Sequence, residues 1–218
     1  MKKNALGILV FTILLGASAF AGTFTLPITN PDFLGPVCGG GYAYTGSGGC
    51  GAAPPQQDLS GTGWTFANGS GLASGGSGFN LPTGFVGQAA FLQGSQASVS
   101  QTLVGLSVGQ TYDLSFLLGS RFNDGCCNGD QTIEVLVNSG VLGTYYLSSY
   151  TAFALQNLSF TATGTQETLQ FLGLGTGDNT AFVTDVGVTY TTPEPVSLIL
   201  FGTGLAGIGG FVRRRLVG

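Results

Sequence analysis

The stretch Thr111–Leu118, TYDLSFLL, decides the fold class because apolar and polar residues alternate along it. Its alternating apolar residues are Tyr112, Leu114, Phe116 and Leu118. A period of two is typical of a β-strand that buries one face and leaves the other toward solvent. We therefore expect a strand here that turns its large side chains toward a core.

Shorter segments with the same character recur on both sides of this stretch, separated by turn residues. They lie within Thr23–Phe33, Gly61–Phe66, Gln88–Leu92, Ser98–Val104, Ile133–Val137, Leu158–Phe160, Leu169–Phe171 and Phe182–Tyr190. Many short strands with no convincing helix between the two chain ends predict an all-β protein. The expected architecture is an antiparallel β-sandwich of the jelly-roll type, flanked by an N-terminal signal helix and a C-terminal transmembrane helix.

Two finer expectations concern local structure. The glycine- and serine-rich stretch Asn68–Thr83 and the glycine-rich segment that carries Tyr42 and Tyr44 are predicted to be loops. In the last strand, strict alternation places Phe182 together with Val186, Val188 and Tyr190, and places Val183 with Asp185 on the opposite side.

The N-terminus has the pattern of a secretory signal peptide. Lys2 and Lys3 give it a positive start, an apolar stretch follows from Ala5 to Leu15, and Ala19-Phe20-Ala21 supplies the small residues of a cleavage site. We predict a signal peptide over residues 1–21. A retained helix is the alternative, and the shortness of the apolar stretch disfavours it.

The C-terminal segment combines three features in order: Pro193-Glu194-Pro195, an uncharged run from Val196 to Val212, and Arg213-Arg214-Arg215. As a helix, the uncharged run is about 26 Å long at about 1.5 Å per residue, which is short but sufficient to cross a bilayer core. The arginines predict a cytoplasmic end, and the prolines mark the outer boundary of the helix.

This arrangement over residues 193–215 resembles the PEP-CTERM sorting signal of Gram-negative bacteria. The resemblance implies an exosortase-type processing enzyme as a partner and an intermediate anchored in the inner membrane through the C-terminal helix. It also implies final delivery to the cell surface or extracellular matrix. A permanent membrane anchor is the alternative interpretation of the same tail.

The segment between the two ends, residues 22–192, is predicted to be one β-sandwich domain. It holds nine acidic residues and a single basic one, Arg121, which gives a net charge of −8. Such an acidic domain is a poor partner for nucleic acid or anionic lipid. The chain has no histidine, which removes the commonest general base and every serine–histidine or cysteine–histidine arrangement. We therefore predict that the protein is not an enzyme.

Several stretches of this segment, in their order, resemble a bacterial galactose-binding-like jelly-roll domain. They are Gly41–Tyr44, Gly63–Phe66, Gln88–Gln93, Ser100–Gln101, Tyr112–Phe116, Arg121, Gln131–Val135 and Gly177–Phe182. The resemblance implies either carbohydrate binding or a structural calcium ion.

The candidate ligand-binding residues are Tyr42, Tyr44, Arg121, Asp178 and Asn179. Tyrosine rings stack on sugar faces, and an arginine on a loop donates hydrogen bonds to hydroxyls or carboxylates. For Arg121 we favour the alternative of an internal salt bridge, with Asp178 or Asp124 as its partner. The candidate calcium ligands are Asn30, Asp32 and Asp185, which meet only if the first and last strands pair; solvated turn residues are the alternative.

Four cysteines in an exported domain predict two disulfides. Cys38 and Cys50 can close their own loop and leave adjacent Cys126 and Cys127 to pair with each other. The two other pairings link the early loop to the loop after Arg121, and we favour these because vicinal pairing is strained.

Together these features predict an exported, non-catalytic protein of the cell surface or matrix that associates with exopolysaccharide. A carbohydrate-binding module with a sugar site on its loops is the alternative.

Overall fold

Two antiparallel β-sheets stack face to face. The protein is described by a computed structural model that covers residues 22–35, 37–38, 41–45, 59–122 and 130–192. The strands are β1 (Gly22–Leu26), β2 (Tyr42–Tyr44), β3 (Thr65–Ala67), β4 (Ser70–Ser74), β5 (Gln88–Gln93), β6 (Ser95–Val104), β7 (Thr111–Ser120), β8 (Gln131–Val137), β9 (Gly140–Leu147), β10 (Ala154–Thr161), β11 (Gln166–Leu174) and β12 (Thr180–Thr192), with a 3-10 helix at Leu59–Thr62. The predicted signal peptide and sorting segment lie outside the described residues.

The first sheet has seven strands in the order β10-β7-β12-β5-β4-β2, with β1 also paired to β12. The second has five strands in the order β3-β6-β11-β8-β9. Most neighbours within each sheet are distant in sequence, so the chain crosses repeatedly between the sheets. Among the described residues no helix is long and apolar enough to span a bilayer.

The core lies between the two sheets. The Phe116 ring on β7 packs against Phe171 on β11, with ring centroids 5.0 Å apart, and against Tyr145 on β9 at 5.8 Å. The four alternating residues of β7 are buried in this cluster, as the sequence predicts. The all-β class and the antiparallel two-sheet sandwich are therefore confirmed.

One strand departs from strict alternation. A register shift lies between Thr184 and Gly187 of β12, and Asp185 has a positive φ of 52°. The irregularity moves every following side chain to the other face. Val183 therefore shares the core with Val186, whereas Phe182 lies in a separate cluster. The predicted grouping of Phe182 with Val186 is wrong.

The prediction of a loop at Asn68–Thr83 is right for residues 75–83 but wrong for Ser70–Ser74, and the predicted loop around Tyr42 is wrong too. The first contains β4, whose five residues are all buried, and Tyr42–Tyr44 is the edge strand β2. A Cβ at Gly71 would clash with the Ala43 carbonyl and lie 2.7 Å from Cζ of Phe91. Small residues occupy β4 because its neighbours cover both of its faces, so the composition that suggests a loop here reflects close packing.

The two sheets differ in their outer faces. On the seven-stranded sheet we call the outer face the aromatic face, formed by Ala73, Ala89, Phe91 and Phe182. The loop between β4 and β5, residues 75–87, covers it with Phe79 and Leu81. On the five-stranded sheet the outer face, here the polar face, carries Ser100, Thr102, Thr168 and Gln170, which pair across β6 and β11. The second hydrophobic cluster therefore lies outside the sandwich core.

Candidate functional site

Phe79 of the β4–β5 loop is the centre of an aromatic cluster on the aromatic face. Its ring stacks on Phe91 at a centroid distance of 4.2 Å and meets Tyr42 at 4.7 Å and Tyr44 at 5.6 Å edge to face. The guanidinium carbon of Arg121 lies 4.9 Å from the centroid of the same ring. Three of the residues predicted to bind a ligand, Tyr42, Tyr44 and Arg121, are thus brought together around one ring.

Arg121 fastens the β4–β5 loop to the sheet. Its Nη2 donates to the Gly78 carbonyl at 3.2 Å, and its backbone N–H donates to the Thr180 carbonyl at 3.0 Å. Its Nε is buried and has no hydrogen-bond partner in the part of the chain that the structure describes. Within the described residues the guanidinium contacts a ring and a carbonyl. Asp124 lies outside them, so the predicted internal salt bridge stays a prediction.

The Tyr44 hydroxyl shows that Asp178 also belongs to this neighbourhood. It donates to Oε1 of Gln93. Burial is the largest cause that raises the pKa of Tyr44 above its usual value of 10.0; the nearby Asp178 charge raises it further, and Arg121 opposes both. The charges of Asp178 and Arg121 therefore shift the pKa of the same hydroxyl in opposite directions.

Asn179, in contrast, has a structural role. Its carbonyl accepts from the Gly94 N–H and from Nε2 of Gln131, each at 2.8 Å, and its side-chain amide donates to the Asp130 carbonyl at 3.2 Å. These bonds tie the start of β12 to the β5–β6 turn and to β8. They use the backbone carbonyl and one N–H of the side-chain amide of Asn179.

A cleft of ≈ 490 Å³ adjoins the aromatic cluster, between the β4–β5 loop and the segments that follow β7 and β9. Its three aromatic walls are Phe85, Phe122 and Tyr150. The hydrogen-bonding side chains that line it are Ser77, Asn80 and Thr83, and the remaining lining residues are glycines, a leucine and a proline. All eleven lining residues are uncharged.

Backbone hydrogen bonds hold the walls of the cleft in place. The Phe122 N–H donates to the Asn80 carbonyl at 2.8 Å, and the Tyr150 N–H donates to the Arg121 carbonyl at 3.2 Å. The Phe122 and Tyr150 rings meet edge to face at 5.0 Å. Tyr150 has a φ of 69°, a conformation that is unusual for a bulky residue and often found at functional sites. The strained backbone places a ring that remains 39% exposed at the mouth of the cleft.

The polar groups of the cleft complete its chemistry. Within the described residues, Oγ of Ser77 is buried without a hydrogen-bond partner, although Ser77 is only 4% exposed. Asn80 and Thr83 are exposed. Rings, an amide and hydroxyls around one concavity suit a ligand with apolar faces and many hydroxyl groups. Sequence reasoning missed this site because its walls are far apart in the chain; Phe79, Leu81 and Phe85 within a glycine-rich stretch were the available signal.

The predicted calcium site at Asn30, Asp32 and Asp185 stays a prediction. The strands that it requires do pair, because β1 lies beside β12 and the Val186 N–H donates to the Pro31 carbonyl at 2.9 Å. Both ends of the Asn30 side-chain amide bond the Gly35 backbone, at 2.7 and 3.0 Å, and Oδ1 of Asp32 accepts from the Leu34 N–H at 3.3 Å. In the part of the chain that the structure describes, no three acidic, cysteine or histidine residues cluster. Calcium takes six to eight oxygen ligands. Asn30 and Asp32 thus shape their own loop, and Asp185 forms part of the β12 irregularity.

Cys38 is fully buried and disulfide-bonded. Its N–H donates to Oε1 of Gln88, whose Nε2 donates to the Phe33 carbonyl at 2.6 Å. Cys50, Cys126 and Cys127 lie outside the described residues, so the pairing stays a prediction.

Neither a protein-family model nor a curated protein sequence matches the chain. A CBM36 carbohydrate-binding module in complex with calcium and xylotriose aligns with a TM-score of 0.39 and 14% identity, over 59% of this chain and 92% of its own. A family 35 carbohydrate binding module from Clostridium thermocellum aligns with a TM-score of 0.40 and 11% identity, over 58% and 90%.

The CBM22-1-GH10 modules of a Clostridium thermocellum endo-1,4-beta-D-xylanase, complexed with xylohexaose, align with a TM-score of 0.45 and 16% identity, over 62% of this chain and 27% of theirs. The chain resembles these structures in fold alone. Its function has to be argued from its own residues.

Proposed function

We propose that this protein is an exported, non-catalytic β-sandwich that binds polysaccharide in the cleft beside Phe79. The observation that carries the proposal is the convergence of three aromatic rings with the hydrogen-bonding side chains of Ser77, Asn80 and Thr83 around one concavity. Of the two functions that the sequence predicts, the geometry supports the carbohydrate-binding one better.

Sugar chemistry matches this lining. The C–H face of a pyranose packs on an aromatic ring, as Phe122 and Tyr150 offer, while its hydroxyls exchange hydrogen bonds with amide and hydroxyl groups such as those of Asn80 and Thr83. A volume of ≈ 490 Å³ is in the range of small-molecule sites. Tyr42, 41% exposed on the same side of the sheet, extends the surface along which a longer chain would lie.

Affinity electrophoresis of the full-length protein through gels that contain single polysaccharides tests the proposal. We expect retardation in at least one gel, lost in Phe122→Ala and in Tyr150→Ala. Tyr146→Ala is the matched control, because Tyr146 is 82% exposed on the outer side of the five-stranded sheet and should leave retardation unchanged. Retardation by no polysaccharide, or equal loss in the control, would contradict cleft binding.

For delivery, we propose that the signal peptide over residues 1–21 and the PEP-CTERM-like tail over residues 193–215 carry the protein out of the cytoplasm. The motif Pro193-Glu194-Pro195 would be processed by an exosortase-type enzyme, which leaves the sandwich at the surface or in the matrix. Intact mass measurement of the surface fraction tests this. Recovery of the full unprocessed mass from the cytosol would rule it out.

A further inference from the structure

We infer that the cleft takes an uncharged sugar unit and that it discriminates against polysaccharides bearing carboxylate or sulfate groups. This inference rests on the proposed function and names the substrate class of the same site. It follows from the uncharged lining of the cleft and from the positions of the nearby charged residues Arg121 and Asp178.

The cleft offers no cation to an anionic sugar. The lining residues that the structure describes are neutral, and residues 22–192 carry nine acidic side chains against one basic side chain. A carboxylate brought into the cleft would lose hydration without gaining an ion pair, and such an unpaired buried charge is costly. A neutral sugar hydroxyl meets no such cost.

The one cation of this segment, Arg121, is already committed. Its guanidinium lies 4.9 Å from the Phe79 ring centroid, its Nη2 donates to the Gly78 carbonyl at 3.2 Å, and its Nε is buried. To reach an anion in the cleft it would have to leave that ring and that carbonyl, releasing the loop that forms one wall. Arg121 is therefore a positioning residue that shapes the cleft and does not contact the ligand.

Negative charge next to the cluster adds to the discrimination. The Asp178 charge raises the pKa of the Tyr44 hydroxyl, and Tyr44 belongs to the aromatic cluster beside the cleft. Repulsion of this kind is how a binding site rejects a competitor that has otherwise similar shape.

The test compares derivatives of one backbone. For a neutral polymer that retards the full-length protein, affinity is measured against its hydroxyethyl derivative, which adds neutral bulk, and its carboxymethyl derivative, which adds similar bulk with charge. We expect the carboxymethyl form to bind at least about threefold more weakly than the hydroxyethyl form at low salt, because its carboxylate loses hydration in the cleft without gaining an ion pair. Added salt should narrow the gap.

A variant that adds a cation to the cleft tests the same inference in the opposite direction. Thr83→Lys places a cation at an exposed position of the cleft and should move the carboxymethyl-to-hydroxyethyl ratio toward the charged form by a similar factor. Thr102→Lys, exposed on the polar face, is the matched control and should shift the ratio less. Equal or tighter binding of the carboxymethyl form by the unmodified protein would overturn this inference alone. Binding to no polymer would overturn the proposed function and this inference with it.

Discussion

The aromatic face and the polar face are the same structural element with different contents. Both are the outer sides of antiparallel sheets whose inner sides fill one core. The polar face presents exposed Thr102 and Thr168 to solvent, whereas the aromatic face presents fully buried Phe91 and Phe182, covered by the β4–β5 loop. An apolar outer face must be covered, and in this molecule the covering loop also builds the wall of a cleft.

The comparison indicates that the same residues of the aromatic face contribute to stability and support the cleft. A substitution on the polar face changes only solvated side chains. A substitution on the aromatic face disturbs a second hydrophobic cluster and the adjoining cleft in which we propose that polysaccharide binds. Substitutions on the two faces should therefore differ in their effects on stability and on polysaccharide binding.

The largest effect is expected from Gly71→Val. Its side chain would meet the Ala43 carbonyl and the Phe91 ring, both of which are fully buried, so β2 or β5 would have to move. We expect the free energy of unfolding to fall by at least about 3 kcal/mol, the upper part of the range for overpacking. Urea denaturation measures it. Gly61→Ala, with no atom within 4 Å of the added Cβ, is the control and should be near neutral.

Phe79→Ala removes the centre of the aromatic cluster. Loss of a buried phenylalanine typically costs about 3–5 kcal/mol, and we expect the lower end here because Phe79 lies on a surface loop. Amide hydrogen exchange should also become faster over residues 75–87. The same truncation on the polar face, Thr102→Ala, should stay within about 0.5 kcal/mol. Equal destabilisation by both substitutions would show that the faces do not differ.

Arg121→Met keeps the length of the side chain and removes the cation. It loses the cation–π contact with Phe79 and the hydrogen bond to Gly78, which together are worth about 1–3 kcal/mol. Polysaccharide retardation should weaken although the residue does not touch the ligand, and Arg121→Lys should restore part of it. Full retardation by the methionine variant would show that the cleft does not depend on this contact.

The smallest effect concerns alkaline pH. Because burial raises the pKa of Tyr44, the unfolded chain loses this proton at a lower pH than the folded protein. The free energy of unfolding should therefore fall as pH rises above about 10. Tyr44→Phe should make the free energy of unfolding depend less steeply on pH. Part of the pH dependence should remain, because burial also raises the pKa of Tyr145. An unchanged slope in denaturation at several pH values would contradict burial of the Tyr44 hydroxyl.

The sequence predicts the sandwich wherever side chains alternate in size and polarity. Residues Tyr112 to Leu118 reveal a strand because their burial has a period of two. The sequence does not reveal β4, because Gly71 in it suggests a loop. A glycine is needed there since the Ala43 carbonyl and the Phe91 ring leave no room for a side chain. The side of Phe182 depends on the irregularity at Asp185, which alternation alone does not signal.

The candidate site, like the fold, has one part that the sequence predicts and one part that depends on tertiary structure. Tyr42, Tyr44 and Arg121 could be selected by residue type, and the structure gathers them around the Phe79 ring. The cleft could not be predicted, because Phe85, Phe122 and Tyr150 come from separate connections that only the strand order brings together.

The most direct test maps a bound neutral oligosaccharide by amide hydrogen exchange on both outer faces at once. The account predicts slower exchange over residues 75–85 and at Phe122 and Tyr150, with no change over Ser100–Thr102 or Thr168–Gln170. Slower exchange confined to the polar face, with the β4–β5 loop unaffected, would contradict the claim that the covered face builds the binding site.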